Sequence, residues 1–203
     1  MLTALDTQTA LVLIDLQKGI ATDGKAHPTE TIIRNAARLK EAFHRAKRPV
    51  VVVHVEPIGA PASVVRSEKG NFPKDADGQK QAQENMQASG FFDLVDPIKP
   101  NSDDIRITKE TWNAFYNTSL HEELQKRTIT GIVLAGISTS IGVEGTARSA
   151  NERGYNITFA TDAMTDTVAA AHENSLTYIF PRIGELATTD EIIAQLPLAS
   201  PNG

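Results

Sequence analysis

The stretch Ile132-Val-Leu-Ala-Gly-Ile-Ser-Thr-Ser-Ile-Gly-Val-Glu-Gly-Thr-Ala-Arg-Ser-Ala-Asn-Glu-Arg-Gly-Tyr-Asn-Ile-Thr-Phe-Ala-Thr-Asp162 reads as strand, tight turn, helix and strand. Ile132 to Ala135 is a short apolar run closed by Gly136, and Val143, Ala147 and Ala150 then recur at helical spacing until Gly154 stops them. The hydroxyls of Ser138-Thr139-Ser140 suit the helix N-cap. A helix that starts at the carboxyl end of a buried strand points free N–H groups and its positive dipole end into the crevice above the sheet. An anion, or a developing oxyanion, is held there.

Upstream, Ala10-Leu-Val-Leu-Ile14 is an apolar run of strand length that stops at Asp15. A carboxylate at the tip of a core strand is costly unless paired, so Asp15 is either a site residue or a loop anchor. Ile32, Ile33, Ala36, Ala37, Leu39, Ala42 and Phe43 trace one helical face between Thr29 and Lys47, and Val50 to Val55 is the next buried strand. His54 and Glu56 alternate at its end without a second ligand cluster nearby, so no metal site is expected. Residues 57–101 change character, with prolines, glycines and a polar Asp75-Ala-Asp-Gly-Gln run, and read as a lid or an oligomer arm.

Asp104 to Thr108 alternates as a strand and leads into Lys109, followed at once by Trp112, Phe115 and Tyr116. That order suggests a lysine at the rim of an apolar pocket walled by the aromatics, with plain core as the alternative. A short helix is expected over Ser119 to Lys126, a strand over Tyr155 to Ala160, and a helix from Val168 to Phe180 closed by Pro181. A strand over Glu185 to Thr188 and a helix over Asp190 to Leu196 complete the series.

The alternation predicts one α/β domain over residues 1–203, a Rossmann-like three-layer α/β/α fold with a six-stranded, mainly parallel sheet. Ligands of such sheets sit outside the carboxyl ends of the strands. Asp15, Lys109 and the Ser138 to Gly142 turn all fall at such ends, so they are expected to form one site.

The totals narrow the function. With 203 residues, a formal charge of -5 and no basic stripe, the chain is not expected to bind nucleic acid. No run approaches 18 apolar residues and no leader pattern opens the sequence, so a cytoplasmic protein without a membrane segment is expected. The chain has no cysteine, which removes disulfides, zinc-thiolate sites and any thiol nucleophile.

With these places assembled, the chain resembles the isochorismatase-like (cysteine hydrolase) family along nearly its whole length. The carriers are Leu11-Val-Leu-Ile-Asp15-Leu-Gln, Ile107-Thr-Lys109 with Trp-Asn-Ala-Phe-Tyr, and Ala135-Gly136-Ile-Ser-Thr-Ser-Ile-Gly-Val-Glu-Gly-Thr-Ala-Arg148. The last looks closest to a bacterial subgroup with Gly-Ile-Ser-Thr-x-Ile-Gly-Val-Glu. The resemblance implies Asp15 as acid/base, Lys109 as its support, and a cis peptide before Ser138 that makes an oxyanion hole from the Ser138 and Gly142 amides. Ser138, Thr139 and Ile141, with Trp112 and Phe115, are the implied substrate contacts. It also implies a homodimer or homotetramer and no cofactor.

The chain departs from the family at Gly142, which stands where most members carry the nucleophilic cysteine. Loss of a covalent nucleophile costs on the order of 10^6 in rate. Ser138 and Ser140 are poor substitutes, because neither occupies the matching place with a base. Isochorismatases imply a route without a thiol, in which Asp15 protonates an enol carbon and water attacks. Burial raises the pKa of Asp15 and a neighbouring ammonium lowers it, so a substrate carboxylate beside Lys109 is expected to let burial win. The expected function is hydrolysis of a small, carboxylate-bearing molecule; the alternatives are a pocket-retaining binder and an oligomeric scaffold. His172 resembles a histidine of the same subgroup and is expected at a helix start or on the surface.

Overall fold

The computed structural model describes residues 2–56, 73 and 75–197. Its strands are β1 (Thr9–Ile14), β2 (Val50–Val55), β3 (Ile105–Lys109), β4 (Gly131–Ile137), β5 (Asn156–Thr165) and β6 (Glu185–Ala187). They form one sheet in the order β3-β2-β1-β4-β5-β6, and every neighbouring pair is parallel. The α/β class, the strand count and the parallel sense follow the sequence expectation.

Both faces of the sheet are covered, which is why β1 and β4 are apolar throughout instead of alternating. On one face α1 (Thr29–Arg45) lays Ile32, Ala36, Leu39 and Phe43 against Leu11, Leu13, Val50, Val52, Val133 and Ala135. On the other, α3 (Leu120–Lys126) and α4 (Glu144–Glu152) bury Leu120, Leu124, Ala147 and Ala150 against Val12, Ile14, Val53, Ile107 and Leu134. Helix α2 (Ala76–Ala88) precedes α3 in the chain and buries no residue. It lies within the expected excursion, of which residues 57–72 and 74 fall outside the described residues.

Three local expectations are corrected. The helix foreseen over Val168 to Phe180 is broken into α5 (Ala169–Asn174), a wide π turn (Ser175–Ile179) and a 3-10 turn (Phe180–Arg182). The break begins at Ser175, whose hydroxyl donates to Glu144 Oε2 at 2.6 Å and lies 3.2 Å from the Ala171 carbonyl, and Pro181 rules out further helix. Strand β5 continues past Ala160 to Thr165 through a register shift against β4 between Leu134 and Gly136. The start of the organising helix is itself a π turn, Thr139–Val143, and Ser138 makes no side-chain cap bond. The last helix, α6 (Thr189–Gln195), carries the capping box of Thr188 and Glu191.

Candidate active site

Strand register brings the site together. Ile14, the last residue of β1, is level with Val53 on β2 and Gly136 on β4, and Val55 is level with Lys109 on β3. A Cβ on Gly136 would lie 2.0 Å from the Ile14 carbonyl oxygen, so only glycine lets β4 pass this close to the end of β1. Asp15 then takes φ +50°, the left-handed conformation that aspartate tolerates better than most side chains. That turn breaks the strict in-and-out alternation of β1, and the carboxylate meets Lys109 on the face that also buries Ile14.

Lys109 starts two strands away. At about 4.8 Å per strand its backbone is about 10 Å from that of β1, a gap that takes a long side chain from one side. Its buried ammonium reaches Asp15 Oδ2 at 2.7 Å and also donates to the Trp112 carbonyl at 2.8 Å. The other carboxylate oxygen, Asp15 Oδ1, is buried and has no hydrogen-bond partner among the described residues. Burial pushes the Asp15 carboxyl up to about 6, although the charge and hydrogen bond of Lys109 pull it down. The sequence reading leaves that contest to a bound substrate carboxylate; in the structure burial already prevails without one.

Gly142 closes the third side. A Cβ placed on it would lie 2.9 Å from Ile14 Cγ2, 3.1 Å from Asp15 Oδ2 and 3.4 Å from Lys109 Nζ. A side chain at 142 would therefore touch both charged groups, and glycine leaves that volume to a substrate or a water. The peptide bond between Ile137 and Ser138 is cis, as the resemblance implies.

Several expected contacts are placed differently. Phe115 does not wall a pocket: it is 5% exposed and stacks on Tyr155, with the Arg153 guanidinium over its ring. Trp112 is 52% exposed and its Cβ lies 3.6 Å from the Cβ position of Gly145, beside the start of α4. Ile141 is exposed at the turn. Thr139 is fully buried and its hydroxyl lies 2.8 Å from His172 Nδ1, so the side chain faces inward. His172 lies in the first turn of α5, the helix-start position expected for it, but is buried and not on the surface. Burial, then the neighbouring His27, holds its imidazole below the usual histidine range.

Two residues that the sequence reading passes over hold the arrangement. Gln17, fully buried, donates to the carbonyls of Val55 and Phe92 at 3.0 Å each and accepts from the Val55 amide at 2.8 Å. It pins the chain after β1 to the end of β2 and to the returning segment at Phe92. Asp166 supplies the cap that Ser138 does not: its Oδ2 accepts from the Ser140 amide and hydroxyl, each at 2.8 Å. The Ser140 amide is thus committed to a protein carboxylate and not open to an anion. The signal was present, since Asp166, like Asp15, is an acidic residue at a strand tip.

Residues 9–191 match the isochorismatase domain family. The chain belongs to the isochorismatase family. It is 38% identical over 189 residues to the isochorismatase family protein YecD of Escherichia coli O157:H7, covering 93% of this chain and 96% of YecD. A solved isochorismatase family protein from Burkholderia thailandensis superposes with a TM-score of 0.78 at 33% identity, covering 95% of this chain and 97% of that one. Ureidoacrylate amidohydrolase RutB of Acinetobacter baylyi is 30% identical over 158 residues, which are 70% of this chain and 64% of RutB. The isochorismatase-family assignment makes the chain a hydrolase by kinship, and the site above is where that chemistry has to be sought.

Proposed function

We propose that this chain hydrolyses a small, carboxylate-bearing molecule by acid catalysis that needs no thiol. The observation that carries the reading is the division of labour within Asp15. Oδ2 accepts from Lys109, while Oδ1 is buried without a partner among the described residues, on a carboxyl whose pKa is raised to about 6. A carboxyl of that kind keeps about one proton in ten at pH 7 and most of its protons below pH 6. The proton belongs on Oδ1, where an O–H finds its acceptor only when a substrate arrives.

For a vinyl ether the steps balance. Asp15 Oδ1–H protonates the enol carbon and leaves an oxocarbenium ion. Water adds to that ion and returns a proton to the Asp15 carboxylate. The resulting hemiketal collapses to a carbonyl compound and an alcohol. Lys109 supplies positive charge for a substrate carboxylate, and the Ser138 and Gly142 amides are the anion donors that the family resemblance assigns. Gly142 supplies room for the ring or the attacking water, and Trp112 and Ile141 stand at the exposed rim.

Amide hydrolysis of the kind named for RutB is less well supported. It calls for a nucleophile, the chain contains no cysteine, and the Ser140 hydroxyl is engaged by Asp166.

The test is isochorismate hydrolysis, followed by loss of the vinyl-ether absorbance, for the parent protein and Asp15→Asn across pH 4.5 to 8. The reading requires turnover that falls as pH rises through about 6 and is lost in Asp15→Asn. Turnover that instead falls as pH drops below 6 makes Asp15 a base and overturns acid catalysis. Isochorismate binding without turnover favours a pocket that only binds.

A further inference from the structure

Against Thr139, at the start of the Thr139–Val143 turn, lies a cluster that the reading above does not use. His27, His172 and Glu173 each offer a ligand atom, and these atoms lie within 4.8 Å of one another. The sequence gives no hint of it, because His27 lies in the loop after β1 and the other two on α5, and only the fold joins them. We propose that His27, His172 and Glu173 bind a divalent transition-metal ion of the zinc class, with solvent completing the coordination.

Zinc-class ions take imidazole nitrogens at about 2.0–2.1 Å and carboxylate oxygens at about 2.0–2.2 Å, in sets of three protein ligands plus water where a position stays open. The 4.8 Å grouping is looser than a closed tetrahedral set. Only a small inward movement closes it, and Glu173 is free to make it because it is exposed on α5. The two rings are already arranged. Their centroids are 4.6 Å apart with planes at 54°, tilted instead of stacked face to face, and one ligand nitrogen of each falls within the 4.8 Å grouping.

Each ring has its Nδ1 beside a buried threonine hydroxyl: Thr139 Oγ1 at 2.8 Å for His172 and Thr165 Oγ1 at 3.3 Å for His27. With hydrogen on Nδ1, each Nε2 presents its lone pair. Hydrogen bonds of this sort orient metal-binding histidines and fix their tautomer. The loop that carries His27 is held as well. The Ala26 amide donates to the Asp166 carbonyl at 2.8 Å, the His27 amide to Thr165 Oγ1 at 3.1 Å, and Lys25 Nζ to Thr167 Oγ1 at 3.1 Å.

The local charge also favours a cation. Asp166 is buried and forms no ion pair with a lysine, arginine or histidine among the described residues, and Glu173 adds a second carboxylate. Lys25 is the opposing charge on the same loop, and it is turned to Thr167. An ion here would grip the histidine that contacts Thr139 and so brace the turn that carries Gly142.

The experiment is calorimetric titration of the untagged full chain with Zn2+, together with the visible absorption of the Co2+ form. One ion per chain is expected, with affinity at least tenfold weaker in both His27→Gln and Glu173→Gln. Thr165→Val, which removes only the hydroxyl behind His27, should weaken binding by about 10–100-fold. His54→Gln, at the unrelated His54–Glu56 pair, should leave it unchanged. Absence of saturable binding overturns the proposal, as does parent-like affinity in either His27→Gln or Glu173→Gln, or a loss that follows His54 instead. Glu173 lies on the surface, so Glu173→Gln keeps the test decisive even if changes at His27 disturb the fold.

Discussion

Among the described residues there are two buried aspartate–lysine pairs, and they behave in opposite ways. Asp104 accepts from His44 Nε2 at 2.6 Å and from the Asn101 amide at 2.7 Å, and Lys40 Nζ lies 3.2 Å away. Lys40 is itself tied to the Lys99 carbonyl. Burial raises the pKa of Asp104, but the bonds from Asn101, His44 and Lys40 outweigh it and hold the carboxyl below its usual range. Asp15 has one cation, one accepted bond and one orphaned oxygen, and burial wins. In both pairs a lysine lies beside the carboxylate, and the direction differs because Asp15 is more deeply buried and accepts fewer hydrogen bonds than Asp104.

The stability consequences differ in sign. The folded-state pKa of Asp104 is lowered, so its contribution is present above the unfolded value of about 3.9 and is lost as pH falls through the lowered one. That of Asp15 is raised, so its contribution is present below the unfolded value and is lost as pH rises toward 6, an order-of-magnitude cost of about 3 kcal/mol at neutral pH. Ionised Asp104 stabilises the fold, whereas ionised Asp15 costs stability.

The sharpest way to break this contrast is to neutralise each carboxylate. Asp15→Asn should lower kcat/KM by about 10^2–10^4, the span of a lost general acid. Asp104→Asn should leave kcat/KM within about twofold and lower unfolding stability in urea by about 3 kcal/mol, because it strands the buried Lys40. A catalytic loss in the second variant larger than in the first would merge the two pairs into one function.

A thiol at the third corner sharpens the picture further. Gly142→Cys would be the chain's single cysteine, so iodoacetamide labelling reports on it alone. The side chain would stand beside Lys109 Nζ, whose charge favours the thiolate. Adding Lys109→Met should slow labelling at pH 8 by about tenfold, and equal rates would mean that the lysine does not face this position. The smallest expected effect is in Lys109→Met alone. Removing the charge that pulls Asp15 down should move the pH limb of turnover upward from about 6 by about one pH unit or more.

The sheet was legible because its signals are local. Uninterrupted apolar runs such as Ala10 to Ile14 and Ile132 to Ala135 report a strand buried on both faces wherever they fall. Asp15, Lys109 and Gly142 were legible as strand-end residues, since parallel topology gathers those ends on one edge. What escaped depends on contacts between distant segments. Phe115 reads as a pocket wall from its neighbours in sequence, and only the stack on Tyr155 shows it as core. Thr139 reads as a substrate contact until His172 is found against its hydroxyl. The break at Ser175 has the same origin, because Val168 to Phe180 is a sound helical pattern until Glu144 claims the serine hydroxyl. Asp166 is the exception: its place at the end of β5 was as readable as that of Asp15, but the strand was ended five residues early.

The central claim is that the Asp15 carboxyl is raised to about 6 although Lys109 touches it. The most direct measurement is a carbon-13 NMR titration of the aspartate carboxyl carbons from pH 3 to 8, with the Asp15 resonance assigned by its absence in Asp15→Asn. A midpoint near 6 for Asp15, with Asp104 titrating below the usual aspartate range, is the predicted result. A midpoint for Asp15 near the ordinary 3.8 would make the pair a plain ion pair and contradict acid catalysis at this site.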